Sequence, residues 1–351
     1  MAKLFATQLL SLQTAFSDLK RQALEQPFLL AGTPGTVTTR TVSGSDFFYR
    51  QFYASTGAKA AEYIGSVTDP RAAARAGQIR EQIEVANATL EIARMLARAG
   101  YHRVDARTDA ILAGLANNGF FRAGGVLVGS HAYGAILNEL GARTAAYATE
   151  HVDLARDRPL DLPPGRSFEQ MLADSKIALH PVPQDRKKPS TSFKPPGADR
   201  LRVDLLVPTA KRTITVLEVR DLGAHATGLP YFRYLLQGPV ESVVLGRGAV
   251  VPVNVPRPER YAWHKMLVSE LRDRASDKKT KDVEQASVLF AILAEREPGA
   301  LDAAWDDLPR GARKPTRVAA ERVRARLEGA GHARAGQLLR ELVGRSSVRR
   351  L

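Results

Sequence analysis

The chain has 351 residues, 44% of them apolar and 25% charged, an ordinary globular composition with room for two or three structural units around a sizeable core. Its net charge of +14 attracts phosphate, whether in nucleotides, nucleic acid or anionic lipid, although Arg used simply to solubilise a surface gives the same total. There is no cysteine, which excludes disulfides, thiolate zinc sites and cysteine nucleophiles, and no apolar run approaches the roughly 20 residues of a bilayer span.

No long apolar region follows Met1–Ala6, so no secretory leader and a cytoplasmic location are expected. Over residues 3–26, Leu9, Leu10, Leu12, Phe16 and Leu19 recur at helical spacing, and Gly32-Thr33-Pro34-Gly35 breaks the chain after them. Residues 37–64 read as a small β-meander. It comprises the β-branched run Val37–Val42, a turn at Ser43–Asp46, the aromatic run Phe47–Tyr53, and Ala61–Ile64 beyond Gly57. Asp69-Pro70 is a cap and first-turn pair opening a long helix to Arg98, closed by Gly100. A second helix, 106–117, stops at Asn118-Gly119.

An αβ core follows. Phe120–Val128 reads as a strand, Ala132–Leu140 as a helix after Gly129-Ser130, and His151–Ala155 as the next strand. Ser167-Phe168-Glu169-Gln170 has the capping-box pattern ahead of a short helix. Residues 181–198 are polar, basic and Pro-rich, which predicts a loop; its Arg186-Lys187-Lys188 run concentrates charge. Leu201–Val207 and Thr213–Val219 are β-patterned and are expected to pair as a hairpin across Pro208–Lys211. Two short strands, Ser242–Leu245 and Val250–Val255, precede Pro256-Arg257-Pro258. Helices are expected at 259–272, at 281–295 and, Arg-rich, from Ala312 onward. The fold class is α+β (mixed α/β). The units expected are 1–103 (helix, meander, long helix), 104–256 (αβ core) and 257–351 (helical, Arg-rich).

Three features of the core carry chemistry. Gly129-Ser130 stands between a buried-type strand and a helix, where glycine permits close backbone approach, the hydroxyl can meet a phosphate, and the helix N-terminus adds positive character. By itself Gly-Ser is a common turn dipeptide. Asp153, between Val152 and Leu154, is a carboxylate inside a strand, a poor place for an unpaired charge; its bland alternative is a strand-end Asp bound to a backbone N–H or to Arg156. Asp204, in Val203-Asp204-Leu205, repeats the pattern. Two such aspartates after a Gly-Ser turn suit a divalent cation and a phosphate chain.

The chain resembles the nucleotidyltransferase superfamily with the polymerase-β-like fold, whose motif is Gly-Ser, then Asp-x-Asp, then a third Asp. The resemblance is carried by Gly129-Ser130-His131-Ala132-Tyr133, Thr149-Glu150-His151-Val152-Asp153-Leu154-Ala155, Val203-Asp204-Leu205-Leu206 and the stretch from Pro256 to Leu267, with Phe48–Gly65 resembling a small β-unit of such proteins. It implies a polymerase-β-like core in which Gly129 and Ser130 bind nucleotide phosphates. Asp153 is then a metal ligand, and Asp204 the third carboxylate, a ligand or a base toward the acceptor. Lys265 becomes a phosphate or substrate contact, its alternative being an exposed helix lysine. The implied cofactor is Mg²⁺ (or Mn²⁺). The implied reaction moves an NMP group from an NTP to an acceptor hydroxyl. The basic surface favours RNA as acceptor, such as a tRNA 3′ end in a toxin-like role, with a protein or small molecule behind it.

His151 departs from the motif, standing where the first Asp is expected. Imidazole is a poor ligand for Mg²⁺, so His151 implies a weakened or altered metal site, or a softer ion such as Mn²⁺ or Zn²⁺. Glu150 is a less favoured substitute, because on a strand it faces away from His151 and Asp153. A catalytically weakened module that binds nucleotide or nucleic acid therefore stands as the alternative, with a basic interaction protein behind it. Thr191-Ser192-Phe193 is read as a flexible Ser/Thr-rich loop in preference to a segment that reaches a bound substrate. Arg317, Arg322, Arg324 and Arg326 read either as a track for a nucleic-acid backbone or as a solvated helix face.

Overall fold

The computed structural model of the chain describes residues 3–144, 149–163, 165–183, 188–272 and 277–345. A two-residue strand, β1 (Ala6–Thr7), precedes helix α1 (Leu10–Leu24). The helix expected over 3–26 is thus shorter at its front, because residues 6 and 7 pair with Ala142 and Arg143 of a later strand. Leu9 and Leu10 lie outside the apolar stripe, 70% and 78% exposed, and α1 buries Phe16, Leu19 and Ala23.

The meander forms as expected, with β2 (Thr36–Val42), β3 (Ser45–Tyr53) and β4 (Lys59–Ser66) antiparallel in that order. Ser43 and Gly44 take φ of 50° and 81°, the geometry of a tight two-residue hairpin. Helix α2 (Pro70–Arg98) starts where the Asp69 carboxylate accepts the Arg71 N–H, and its Ala76, Ile79 and Ile83 pack with Leu30 and Ile64 beneath the sheet. Helix α3 (Ala106–Asn117) is capped by Asp105, which accepts the N–H groups of Arg107 and Thr108.

Between α3 and the core sheet, Phe120–Gly124 is turn rather than strand. The N–H groups of Phe120 and Gly125 bond to Leu115 and Phe120, so only Val126–Val128 (β5) is extended. Helix α4 (Gly129–Glu139) begins at Gly129 itself, and β6 (Ala142–Arg143) and β7 (His151–Ala155) follow. Helix α5 (Phe168–Ala173) carries the reciprocal Ser167–Gln170 capping box. Then come β8 (His180–Pro181), β9 (Ser192–Lys194), β10 (Arg202–Thr209), β11 (Thr215–Val219) and β12 (Ala224–Pro230).

The core sheet runs β11-β12-β10-β7-β5, with β9 on β10 at the end that β12 leaves uncovered. Strands β7 and β10 are parallel, and β5 lies antiparallel to β7. The hairpin expected between residues 201–207 and 213–219 does not form. Strand β12 inserts between β10 and β11, parallel to the first and antiparallel to the second. The segment expected to be loop over 181–198 contains β9, in which Ser192 and Phe193 are buried. Within that segment, Arg186 and Lys187 lie outside the described residues.

Helix α6 (Phe232–Leu236) leads to a separate hairpin, β13 (Val240–Leu245) and β14 (Val250–Val255). Five helices close the chain: α7 (Pro258–Leu271), α8 (Asp277–Arg296), α9 (Pro298–Asp306), α10 (Arg310–Gly329) and α11 (Ala333–Gly344). Trp263 of α7 packs on Trp305 of α9 at 4.8 Å between ring centroids and donates its indole N–H to Leu301. A continuous apolar core joins Leu127, Leu154 and Val203 of the sheet to Trp263, Phe290 and Leu339 of these helices, fixing α7 and α8 against the sheet. Among the described residues, no helix is long and apolar enough to cross a membrane.

Candidate active site

The Gly-Ser turn, both strand aspartates, His151 and Lys265 meet in one cleft of about 910 Å³, within the usual size range of a ligand pocket. Its floor is set by strand register. In the parallel pair β7/β10, Asp153 lies opposite Asp204 and His151 opposite Arg202, so the two carboxylates stand side by side on one sheet face. Beside them, Val128 at the end of β5 pairs with Asp153 and hands the chain to α4.

Gly129 is a required residue. Its φ is +66°, and a Cβ there would sit 1.9 Å from Asp153 Oδ2. The α4 N-terminus therefore abuts the Asp153 carboxylate as closely as a backbone can. The Gly129 carbonyl accepts the Tyr261 hydroxyl at 2.8 Å, which ties the turn to α7.

The two aspartates have different surroundings. For Asp204, burial raises the proton affinity, but donors from His151, Ser192 and Arg202 outweigh it and hold the carboxyl below its usual range. Ser192 Oγ donates to Asp204 Oδ1, Arg202 Nε sits 2.8 Å from the same oxygen, and His151 Nδ1 lies 3.6 Å from Oδ2. Asp153 is pushed up, first by burial and then by the Asp204 charge, with Lys265 and His151 opposing. Among the described residues no donor bonds to the Asp153 carboxylate. A half-buried carboxylate without a donor, beside a second one, fits a divalent cation shared by the pair. Among the described residues, no group of three or more His, Asp or Glu closes on one point, so the paired carboxylates stand without a third converging ligand there.

Glu150, just before β7, is among the residues lining the cleft, and its carbonyl accepts the Arg202 N–H. It also borders a neighbouring pocket of about 340 Å³ with His102, Arg103, Asp105 and His131. Burial pushes the imidazoles of His102 and His131 down to about 4, so both are neutral near pH 7.

The opposite wall of the cleft is basic. Lys265 and Arg272 of α7, with Lys278 and Lys281 of α8, line it. Asp282, only 3% exposed at its side chain, holds Lys265 Nζ at 2.7 Å and Arg272 Nε at 2.6 Å. Lys265 is therefore a positioned, largely buried cation rather than a free helix lysine. Lys281 is held below its usual range, chiefly by burial and then by the neighbouring Lys265 charge.

Sequence reasoning missed Lys278, Lys281, Arg272, Asp282 and Arg202, and the bond of Ser192 to Asp204. A signal for the lysines existed: Lys278-Lys279-Thr280-Lys281 fills the first turn of α8, where the helix dipole disfavours cations. Such a turn is tolerated when anions face it. Ser192 and Arg202 gave no comparable sign, since their roles depend on β9 pairing with β10. The C-terminal arginines have other partners. Arg322 pairs with Glu270, Arg324 with Glu321 and Glu328, and Arg326 with Glu284, while Arg317 Nε donates to the Val343 carbonyl.

A family profile described as nucleotidyltransferase matches residues 106–309, more than half of the chain, from α3 through α9. No curated protein and no solved structure matches the chain.

Proposed function

Because the chain belongs to the nucleotidyltransferase family, we propose that this cleft transfers an NMP group from an NTP to an acceptor hydroxyl, with RNA as the acceptor. The observation that carries the reading is the register of Asp153 against Asp204, with Gly129 pressed on Asp153. The triphosphate lies between two walls of opposite character. Backbone N–H groups at the start of α4 and the Ser130 hydroxyl approach it from one side, and Lys265, Lys278, Lys281 and Arg272 neutralise it from the other. Asp153 and Asp204 would hold a divalent cation, Mg²⁺ or Mn²⁺, which would supply charge neutralisation on the phosphates and a lowered pKa for the attacking hydroxyl.

His151 has a distinct part in this reading. Directed at Asp204, it joins Ser192 and Arg202 in keeping that carboxylate ionised and oriented, and Asp204 takes the proton of the acceptor hydroxyl or passes it to solvent. Asp282 positions Lys265 and Arg272 without touching the substrate. The net charge of +14 supports a polyanionic acceptor over a small neutral one.

The competing reading, a nucleotide-binding module without turnover, rests on His151 in place of an oxygen ligand. A metal titration with labelled NTPs and RNA, comparing this chain with His151→Asp, separates the two. Transfer by the unaltered chain, stronger in Mn²⁺ than in Mg²⁺, with a gain of about tenfold in Mg²⁺ for the variant, is the expected outcome. Turnover confined to His151→Asp, with NTP binding intact in both, contradicts catalysis by this chain.

A further inference from the structure

The three-stranded sheet β2-β3-β4 has two unlike faces. One packs on α2 through Val37, Phe48 and Ile64, and its polar residues pair internally, Arg50 with Glu62 and Thr41 with Asp46. The other alternates out of that core. The pairs Arg40↔Phe47, Thr38↔Tyr49 and Thr36↔Gln51 between β2 and β3, and Tyr49↔Tyr63 and Tyr53↔Lys59 between β3 and β4, put all of these residues on one side. Four aromatic rings thus share the face turned away from α2. Tyr63 is 54% and Tyr53 50% exposed. Phe47 and Tyr49 lie 5.8 Å and 5.5 Å from Tyr63 between ring centroids, and Arg40 lies 5.3 Å from the Tyr49 ring centre.

Two exposed tyrosines beside two partly buried rings make an aromatic patch, which is unusual on a solvent-facing sheet. Cross-strand ring pairs do stabilise a sheet, but that role does not account for the charges around them. Among the described residues of the three strands, the ionisable groups on this face besides the tyrosines are Arg40 and Lys59, both cations, while Asp46 and Glu62 lie on the other side. Rings i and i+2 on β3 are about 7 Å apart, room for one unstacked base per ring. Thr36 adds a hydroxyl beside the rings, and Gln51, whose amide N–H donates to Thr38 Oγ1 at 2.8 Å, keeps its amide oxygen for a ribose 2′-hydroxyl. Aromatic π-faces, cations without acids and interspersed donors are the chemistry of a single-stranded RNA platform.

We propose that this face binds single-stranded RNA by stacking bases on Phe47, Tyr49 and Tyr63, with Arg40 and Lys59 on the phosphates. As the acceptor-holding surface it rests on the nucleotidyl-transfer reading; as a binding surface it does not need the cleft to be active.

The test measures fluorescence anisotropy of a labelled single-stranded RNA decamer on the full chain, beside binding of a fluorescent NTP analogue. Tyr63→Ala is expected to weaken RNA binding about tenfold, whereas Tyr63→Phe retains it. Because a truncated ring can loosen the sheet, the exposed charge variant Arg40→Glu/Lys59→Glu is the second arm. It is expected to weaken RNA binding at least tenfold and to flatten its salt dependence, with NTP binding unchanged. Single-stranded DNA and duplex RNA are expected to bind more weakly than the decamer. RNA binding that survives both substitutions, or a preference for duplex over single strand, overturns the proposal and leaves the cleft reading standing. Loss of NTP binding by the unaltered chain overturns the cleft reading and not this one.

Discussion

At the scale of single residues, the site concentrates unfavourable choices that only a ligand repays. Asp153 is a half-buried carboxylate without a donor among the described residues, next to a second carboxylate. Asp153→Asn removes that repulsion while keeping the shape. It is expected to raise the melting temperature by about 2 °C while abolishing transfer, measurable by calorimetry and a label-transfer assay on one preparation. Gly129→Ala is the opposite kind of change. A methyl group 1.9 Å from Asp153 Oδ2 on a backbone at φ +66° forces the turn away from the carboxylate. The expected cost is about 2 kcal/mol of stability or more in urea unfolding, with nucleotide binding lost even where the variant folds. These residues were legible in the sequence because each signal is local: a glycine after an apolar run, and an aspartate flanked by strand formers. His151 was legible as a departure, but its orientation toward Asp204 was not, since that depends on which strand lies alongside.

At the scale of elements, boundaries set by capping and turn chemistry were readable and those set by pairing were not. Asp69-Pro70 and the Ser167–Gln170 box mark helix starts that the structure reproduces. Strand β12, in contrast, is Ala224-His225-Ala226-Thr227-Gly228-Leu229-Pro230, poor in β-formers and sustained by neighbours on both sides. Strand β9 is also short, and it is held by pairing with β10. Another long-range tie has a pH signature. Asp109 of α3 accepts the N–H groups of Gly248 and Ala249 in the β13–β14 turn, while its Oδ1 has no hydrogen-bond partner among the described residues. Burial pushes this carboxyl up to about 6, against those N–H bonds and the Arg103 charge. Its folded value lies above the unfolded one of about 3.9, so its contribution is greatest below that and declines as pH rises to about 6. Asp109→Asn, which keeps an acceptor and never ionises, is expected to flatten urea-unfolding stability across that window. Asp109→Ala, which leaves backbone donors unmet, is expected to lose about 2 kcal/mol below about pH 4 and less as pH rises to about 6.

At the scale of the whole molecule, charge is the property that sequence and structure read differently. The total of +14 pointed to phosphate partners without saying where. The C-terminal arginines, the densest basic feature by eye, engage internal partners. Cations also line the α7–α8 wall of the cleft, and Arg40 and Lys59 stand on the meander. The family match from 106 to 309 embraces both the carboxylate strands and that basic wall, whereas the meander lies outside it. A triphosphate site built by the first region and an RNA surface carried by the second would be separable by mutation.

The most direct test is transfer of label from the α-phosphate of each NTP to RNA, in Mg²⁺ and in Mn²⁺. It compares the full chain with Asp153→Asn and Asp204→Asn variants shown to be folded. The account predicts labelled RNA with the unaltered chain and a loss of at least a hundredfold with either variant. Equal labelling by all three proteins would contradict it.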